Sequence, residues 1–189
     1  MPRIILAYAG IPFEDIRYTH QEWAEVKMAG NFPNNQIPCL EFDGKKHGQS
    51  MAIARFLARE HGLAGKNSYD EFKADAVVDC MYDLLIFIWL HQFYPQNQEA
   101  KEAMWIKIST EVADRIFTEL TTQLGDGPYF LGDYISWADL SFVQACDVFD
   151  ARGVTVLMQQ YPRLMELRKR LLEDEKIANY IKNRPVTET

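Results

Sequence analysis

Gln36-Ile37-Pro38-Cys39-Leu40-Glu41-Phe42-Asp43-Gly44, followed by Gln49-Ser50-Met51-Ala52-Ile53-Ala54-Arg55-Phe56-Leu57, reads as a ligand site built on a hairpin and a helix start. Leu40 and Phe42 alternate with Glu41, and Asp43-Gly44 is a turn pair, so the spacing predicts a β-hairpin. A helix is expected from Ser50, with the serine as N-cap, Ile53, Phe56 and Leu57 on its stripe, and His61-Gly62 at its end. The N–H groups at such a helix start can receive a carboxylate or phosphate. Pro38 biases Ile37 toward an extended backbone. With a cis Ile37-Pro38 bond, the Ile37 amide and carbonyl would pair with an extended, acidic, peptide-like ligand as an added strand does. A proline that starts an edge strand and a serine that only caps a helix is the competing reading.

Outward from that stretch, Ile4, Ile5, Tyr8 and Ala9 form a helical stripe closed by Gly10 and Pro12. Phe13, Asp15 and Arg17 alternate with Glu14, Ile16 and Tyr18 in the manner of a strand, and residues 21–27 read as a loop or short helix. After residues 62–67 the pattern turns wholly helical. The expected division is therefore 1–62 as an α/β domain, 63–67 as a linker and 68–189 as an all-helical domain.

In the helical part, Ser68-Tyr69-Asp70-Glu71 has the form of a capping box, and a long helix runs from it to Tyr94-Pro95 through Phe72, Ala76, Cys80, Leu84 and Phe87. A second spans about 99–124, with Ile108, Val112, Ile116, Leu120 and Leu124 on one stripe, and is expected to pair antiparallel with the first. Ser136-Trp137-Ala138-Asp139 is another capping box, flanked by Ile135 and Leu140 at the positions of a hydrophobic staple. Further helices are expected from Pro162, with Leu164, Leu167 and Leu171, and around Ile177, Tyr180 and Ile181.

The chain has 189 residues and carries 20 basic against 27 acidic side chains, a net charge of −7 that argues against nucleic-acid or anionic-membrane partners. Three cysteines without paired spacing fit free thiols in a reducing compartment. The most apolar run, residues 84–90, is far short of the roughly 20 residues of a membrane span, and neither end resembles a secretory signal, so a cytoplasmic location is expected. His20, His47, His61 and His91 lack metal-ligand spacing, and no metal is expected.

The segments Ala7-Tyr8-Ala9-Gly10-Ile11-Pro12-Phe13-Glu14, Trp23-Ala24-Glu25-Val26-Lys27, Gln36-Ile37-Pro38, Gln49-Ser50-Met51-Ala52-Ile53-Ala54-Arg55 and Ser136-Trp137-Ala138-Asp139-Leu140 together resemble the cytosolic glutathione S-transferases, most closely their sigma class. The resemblance covers essentially the whole chain. It implies a thioredoxin-like N-terminal domain followed by an all-α helical bundle, and glutathione as co-substrate. It also implies thiolate attack on a small hydrophobic electrophile or glutathione-assisted isomerisation, a role in detoxification, and a homodimer. Gln49 and Ser50 would hold the γ-glutamyl end, Ile37 beside Pro38 the cysteinyl backbone, Trp23 and Lys27 the glycyl carboxylate, and Gln36 the groove wall. Asp83 would face the γ-glutamyl ammonium held by the partner subunit, and Leu85 and Trp89 are candidate walls for the second substrate. Each has a plainer alternative: Trp23 as a core or interface aromatic, Lys27 as a solvated lysine, Asp83 as a helix-edge acid.

The family's first strand carries a tyrosine whose hydroxyl favours the glutathione thiolate. Met1-Pro2-Arg3-Ile4-Ile5-Leu6 aligns with the interior of the family's first helix, so the expectation is an N-terminally shortened domain in which no residue takes the catalytic role; Tyr8, on the helix, is no substitute. A thiol of pKa about 8.5 is only a few per cent ionised at pH 7, which leaves a second expectation open: a non-catalytic, glutathione-binding or crystallin-like structural relative.

Overall fold

Pro2 and Gly10 bracket the first helix, α1 (Pro2–Ala9), of the computed structural model, which describes residues 1–185. Proline suits the first helical position because its missing N–H has no intrahelical partner there. Gly10 closes the helix at φ 72°, and the Ile11 N–H donates back to the Leu6 carbonyl at 2.9 Å. Ile4, Ile5 and Leu6 are buried where α1 packs on α3 (Ser50–Glu60) and α10 (Glu175–Asn183).

Between α1 and α3 lie α2 (His20–Met28), a turn at Pro33–Asn35, and an antiparallel hairpin of β1 (Leu40–Phe42) and β2 (Lys45–His47), with Leu40 opposite His47 and Phe42 opposite Lys45. Asp43 and Gly44 both take positive φ, 49° and 71°, as a two-residue hairpin of the favoured twist requires. One expectation is corrected here. Residues 13–18 form no strand: alternation makes a segment extended, but a strand also needs a partner ladder, and none of the backbone bonds among the described residues supplies one. Of the two readings of residues 21–27 the short helix holds: they lie within α2, begun by a capping box in which Thr19 Oγ1 accepts from the Glu22 N–H at 3.2 Å and Glu22 accepts from the Thr19 N–H at 2.7 Å.

The chain divides into two compact units, Met1–Leu63 with the segment that begins at Glu175, and Ala64–Asp174. The last helix, α10, packs on α1 and so groups with the first unit. The first unit is thioredoxin-like with a two-stranded sheet; the second is helical.

In the second unit α4 (Ser68–Phe93) packs on α6 (Ala113–Leu124) and α7 (Trp137–Ala151), and α7 packs in turn on α9 (Pro162–Glu173). Ser68 is the first helical residue of α4 rather than its cap. Asn67 caps it, its Oδ1 accepting from the N–H groups of Tyr69 and Asp70 at 3.0 Å each, since asparagine caps as well as serine and stands one residue earlier. Gly65 cannot be replaced at this entry: a Cβ there would lie 2.6 Å from the Asp70 Cβ, at φ 145°. By length and composition α4 is also long and apolar enough to cross a bilayer, a property the run 84–90 alone conceals; its buried stripe of Ala74, Val77, Val78, Met81, Leu84 and Ile88 is that of a packed helix.

The second long helix is α5 (Gln98–Lys107) and α6 joined by a π turn at Ile108–Val112. A strict step of four overshoots a 3.6-residue turn, and the wider π turn takes up part of that drift, so Ile108, Val112, Ile116, Leu120 and Leu124 are all buried. A short α8 (Thr155–Met158) follows α7. Phe117 meets Phe149, and Phe130 meets Phe142, edge to face at centroid distances of 5.6 and 5.8 Å in the centre of this unit.

Candidate functional site

Gln49 enters α3 at φ 71° and ψ 96°, outside the regions a glutamine normally occupies. It occupies the N-cap position, and Ser50 is the first residue of the helix proper, which corrects the expectation of a serine cap. No side chain caps the first turn. The first helical bond runs from the Ile53 N–H to the Gln49 carbonyl at 3.0 Å, so the N–H groups ahead of it have no partner within the helix and lie at the positive end of its dipole. Gln49 is exposed and Ser50 half-buried.

The Ile37-Pro38 peptide bond is cis. Gln36, Ile37 and Pro38 are all exposed, Ile37 to 47%. They follow a turn in which Asn34 and Asn35 both take left-handed conformations, at φ 53° and 49°, which asparagine tolerates better than most residues.

Ring contacts at Trp23, together with packing around Phe32 and Pro33, tie these pieces to α2. The Trp23 ring meets Phe32 edge to face at 5.2 Å, and Tyr18 lies 6.0 Å from Trp23 and 6.1 Å from Phe32. Lys46 on β2 sits over the Phe32 ring, its Nζ 4.7 Å from the centroid. Pro33 packs against Gly48, where a Cβ would come within 3.2 Å of the proline Cβ, so the residue before Gln49 approaches the turn closely because it is glycine. Trp23 and Lys27 lie four apart on α2 and so share a face, Trp23 half-buried and Lys27 exposed. The first unit thus joins the Trp23 helix, the Pro33–Asn35 turn before Gln36, and the helix start at Ser50 through one aromatic cluster. Sequence reasoning missed Tyr18, Phe32 and Lys46; the signal was an aromatic pair flanking α2.

Asp83 lies on α4 in the other unit and is exposed. Burial chiefly pushes the Cys80 thiol up to about 11, the charges of Glu119 and Asp83 adding to the rise and Arg115 opposing it. Tyr8 lies under Lys176, whose Nζ is 4.9 Å from its ring centroid and donates to its carbonyl at 3.1 Å.

The fold and this site define a class: a two-unit protein whose first unit carries a helix start without a side-chain cap and an exposed cis Ile-Pro turn. Residues 1–59 match the glutathione S-transferase N-terminal domain and residues 85–184 its C-terminal domain. The chain is 38% identical to hematopoietic prostaglandin D synthase of Gallus gallus over 98% of its own length and 90% of the relative's. It is 31% identical to S-crystallin 2 of Octopus vulgaris, covering 98% and 91%. Among solved structures, a major nematode-specific glutathione S-transferase of C. elegans superposes with a TM-score of 0.87 at 30% identity, covering all of this chain and 92% of the other. The chain belongs to the glutathione S-transferase family, a family of transferases whose N-terminal domain binds glutathione as co-substrate.

Proposed function

We propose that this protein is a sigma-type glutathione S-transferase whose first unit holds glutathione at the α3 start and the Ile37-Pro38 turn. The observation that carries the reading is the uncapped first turn of α3, entered at positive φ through Gln49 and half-exposed at Ser50. An amphipathic helix left without a side-chain cap, next to an exposed extended backbone, suits a ligand with a carboxylate at one end and a peptide backbone behind it. Ser50 and Gln49 take the γ-glutamyl carboxylate and Ile37 pairs with the cysteinyl amide. Trp23 and Lys27 meet the glycyl carboxylate, the indole as a single donor and the ammonium as a point charge, and Gln36 lines the groove.

The protein works as a cytoplasmic homodimer in which Asp83 faces the γ-glutamyl ammonium bound in the other subunit. Its second substrate is a small hydrophobic electrophile, with Leu85 and Trp89 as apolar contacts, and its chemistry is conjugation in detoxification or isomerisation of the prostaglandin type, as the name of the Gallus relative suggests. The described residues provide the binding groups; none is assigned the activation of sulfur. Likeness to S-crystallin 2 favours a second reading, a structural protein that keeps the glutathione groove without turnover.

Immobilised glutathione retains the wild-type chain and loses it on Ser50→Ala with Gln49→Ala; retention unchanged in that pair of variants rules out the groove. A conjugation rate no higher than the uncatalysed background, with retention intact, selects the structural reading.

A further inference from the structure

The first and last described segments of the chain meet around a cavity of about 230 Å³ whose walls include Phe13, Asp15, Arg17, Tyr180, Asn183 and Arg184. It shares no residue with the α3 groove. Arg17 donates to Asp15 Oδ2 from Nε at 2.9 Å and from Nη2 at 2.8 Å, while Arg3 Nε donates to Asp15 Oδ1 and Arg3 Nη2 to the Ile16 carbonyl at 3.3 Å. Two guanidiniums therefore share one carboxylate, and Arg184 adds a third positive charge to the cavity, in a chain whose net charge is −7. Burial pulls the Asp15 carboxyl upward, but the hydrogen bonds from Arg17 and Arg3 outweigh it and hold the group below its ordinary value.

A guanidinium has five donors, so Arg17 keeps donors beyond those Asp15 uses. The Asn183 amide is committed instead: its Nδ2 donates to the Asn179 Oδ1 and carbonyl at 2.7 and 2.9 Å. The Tyr180 hydroxyl lies in the field of all three arginines, which pulls its pKa down against the larger upward push of burial. The remaining walls are apolar, with the Phe13 ring 40% exposed.

We propose that this cavity binds a small aromatic carboxylate, the carboxylate on Arg17 beside the Tyr180 hydroxyl and the ring against Phe13. Asp15 holds Arg17 in place and at the same time competes with the ligand for it.

Isothermal titration of the full chain with benzoate, and with benzamide as its neutral counterpart, tests this. Benzoate binds saturably and at least about tenfold tighter than benzamide, a ratio in keeping with a charge-assisted pair. Arg17→Gln weakens benzoate by about tenfold, Tyr180→Phe weakens it by a smaller factor, and Asp15→Asn tightens it. The opposite signs at positions 15 and 17 distinguish a ligand site from an ion network with a purely structural role, which both changes would damage alike. If Arg17→Gln or Asp15→Asn does not fold, Tyr180→Phe, which removes one hydroxyl, decides: unchanged benzoate affinity overturns the proposal. Equal binding of benzamide overturns it too, as does displacement of benzoate by excess glutathione, which would place the anion in the α3 groove; persistence of binding under saturating glutathione supports it.

Discussion

Two helix starts in this chain carry the same kind of residue and come to opposite arrangements. At α7, Ser136 and Asp139 are fully buried and satisfy each other: Asp139 Oδ2 accepts from the Ser136 N–H and hydroxyl at 2.8 Å each, and Oδ1 accepts from the Phe130 N–H at 3.1 Å. At α3, Gln49 and Ser50 supply no cap and stay open to solvent. Both helices are packed, α7 buried on nearly every side and α3 along one face. The difference is where the polar capacity of the first turn is spent: on the protein's own side chains at α7, where it fixes the entry of the chain into the helical core, and at α3 on no capping side chain among the described residues. A helix start that a stable fold leaves uncapped is the better candidate for ligand binding.

The contrast breaks most sharply at Asp139. Asp139→Ala leaves buried donors at Ser136 and Phe130 without partners, and a loss of about 3 kcal/mol is expected in urea denaturation. Ser50→Ala, with no capping bond to lose, changes stability by no more than about 0.5 kcal/mol while weakening glutathione about tenfold, the gain of a charge-assisted bond. Comparable stability losses at the two positions would show that α3 is capped after all.

Acidity sharpens the same comparison. Burial raises the Asp139 carboxyl from 3.8 to about 6, against the hydrogen bonds from Ser136 and Phe130. Because the folded value lies above the unfolded one, the contribution is fully present below about pH 4 and is lost as pH rises through 6. The deficit of Asp139→Ala relative to wild type is therefore larger at pH 4.5 than at pH 6.5, by about 2 kcal/mol. A deficit that grows with pH instead would mean that the three hydrogen bonds outweigh burial and that the carboxylate is ionised throughout.

The sealed start was legible in the sequence because a capping box and its staple are local: Ser136, Asp139, Ile135 and Leu140 lie within six residues. So were α1, the Asp43-Gly44 hairpin and the step-of-four stripe from Ile108 to Leu124. Three kinds of feature were not. The extended segment 13–18 alternates like a strand, but pairing depends on a partner that no local pattern contains. Asn67 displaced Ser68 as the cap of α4 because two good capping residues stood side by side, and only the chain's path after Gly65 chose between them. The packing of α10 on α1, and with it the cavity of Arg17 and Tyr180, joins residues more than 160 positions apart. At the α3 groove, the residue types at Trp23, Lys27, Ile37 and Ser50 were readable. The aromatic cluster of Tyr18, Trp23 and Phe32 that ties α2 to the turn, and the positive φ of Gln49, were not, since both depend on how distant backbone segments meet.

An effect smaller than those at Asp139 bears on that positive φ. A glutamine at φ 71° and ψ 96° is held away from its preferred conformations at a cost of about 1–3 kcal/mol, and glycine adopts such angles without a Cβ penalty but loses more freedom on folding. Gln49→Gly should therefore raise stability by only about 0.5–1 kcal/mol, measured by urea denaturation, and at the same time weaken glutathione. Stability rising while affinity falls is the behaviour of a residue strained for a ligand. If stability instead falls, Gln49 is held by contacts of its own, and the open start of α3 is a feature of packing rather than of binding.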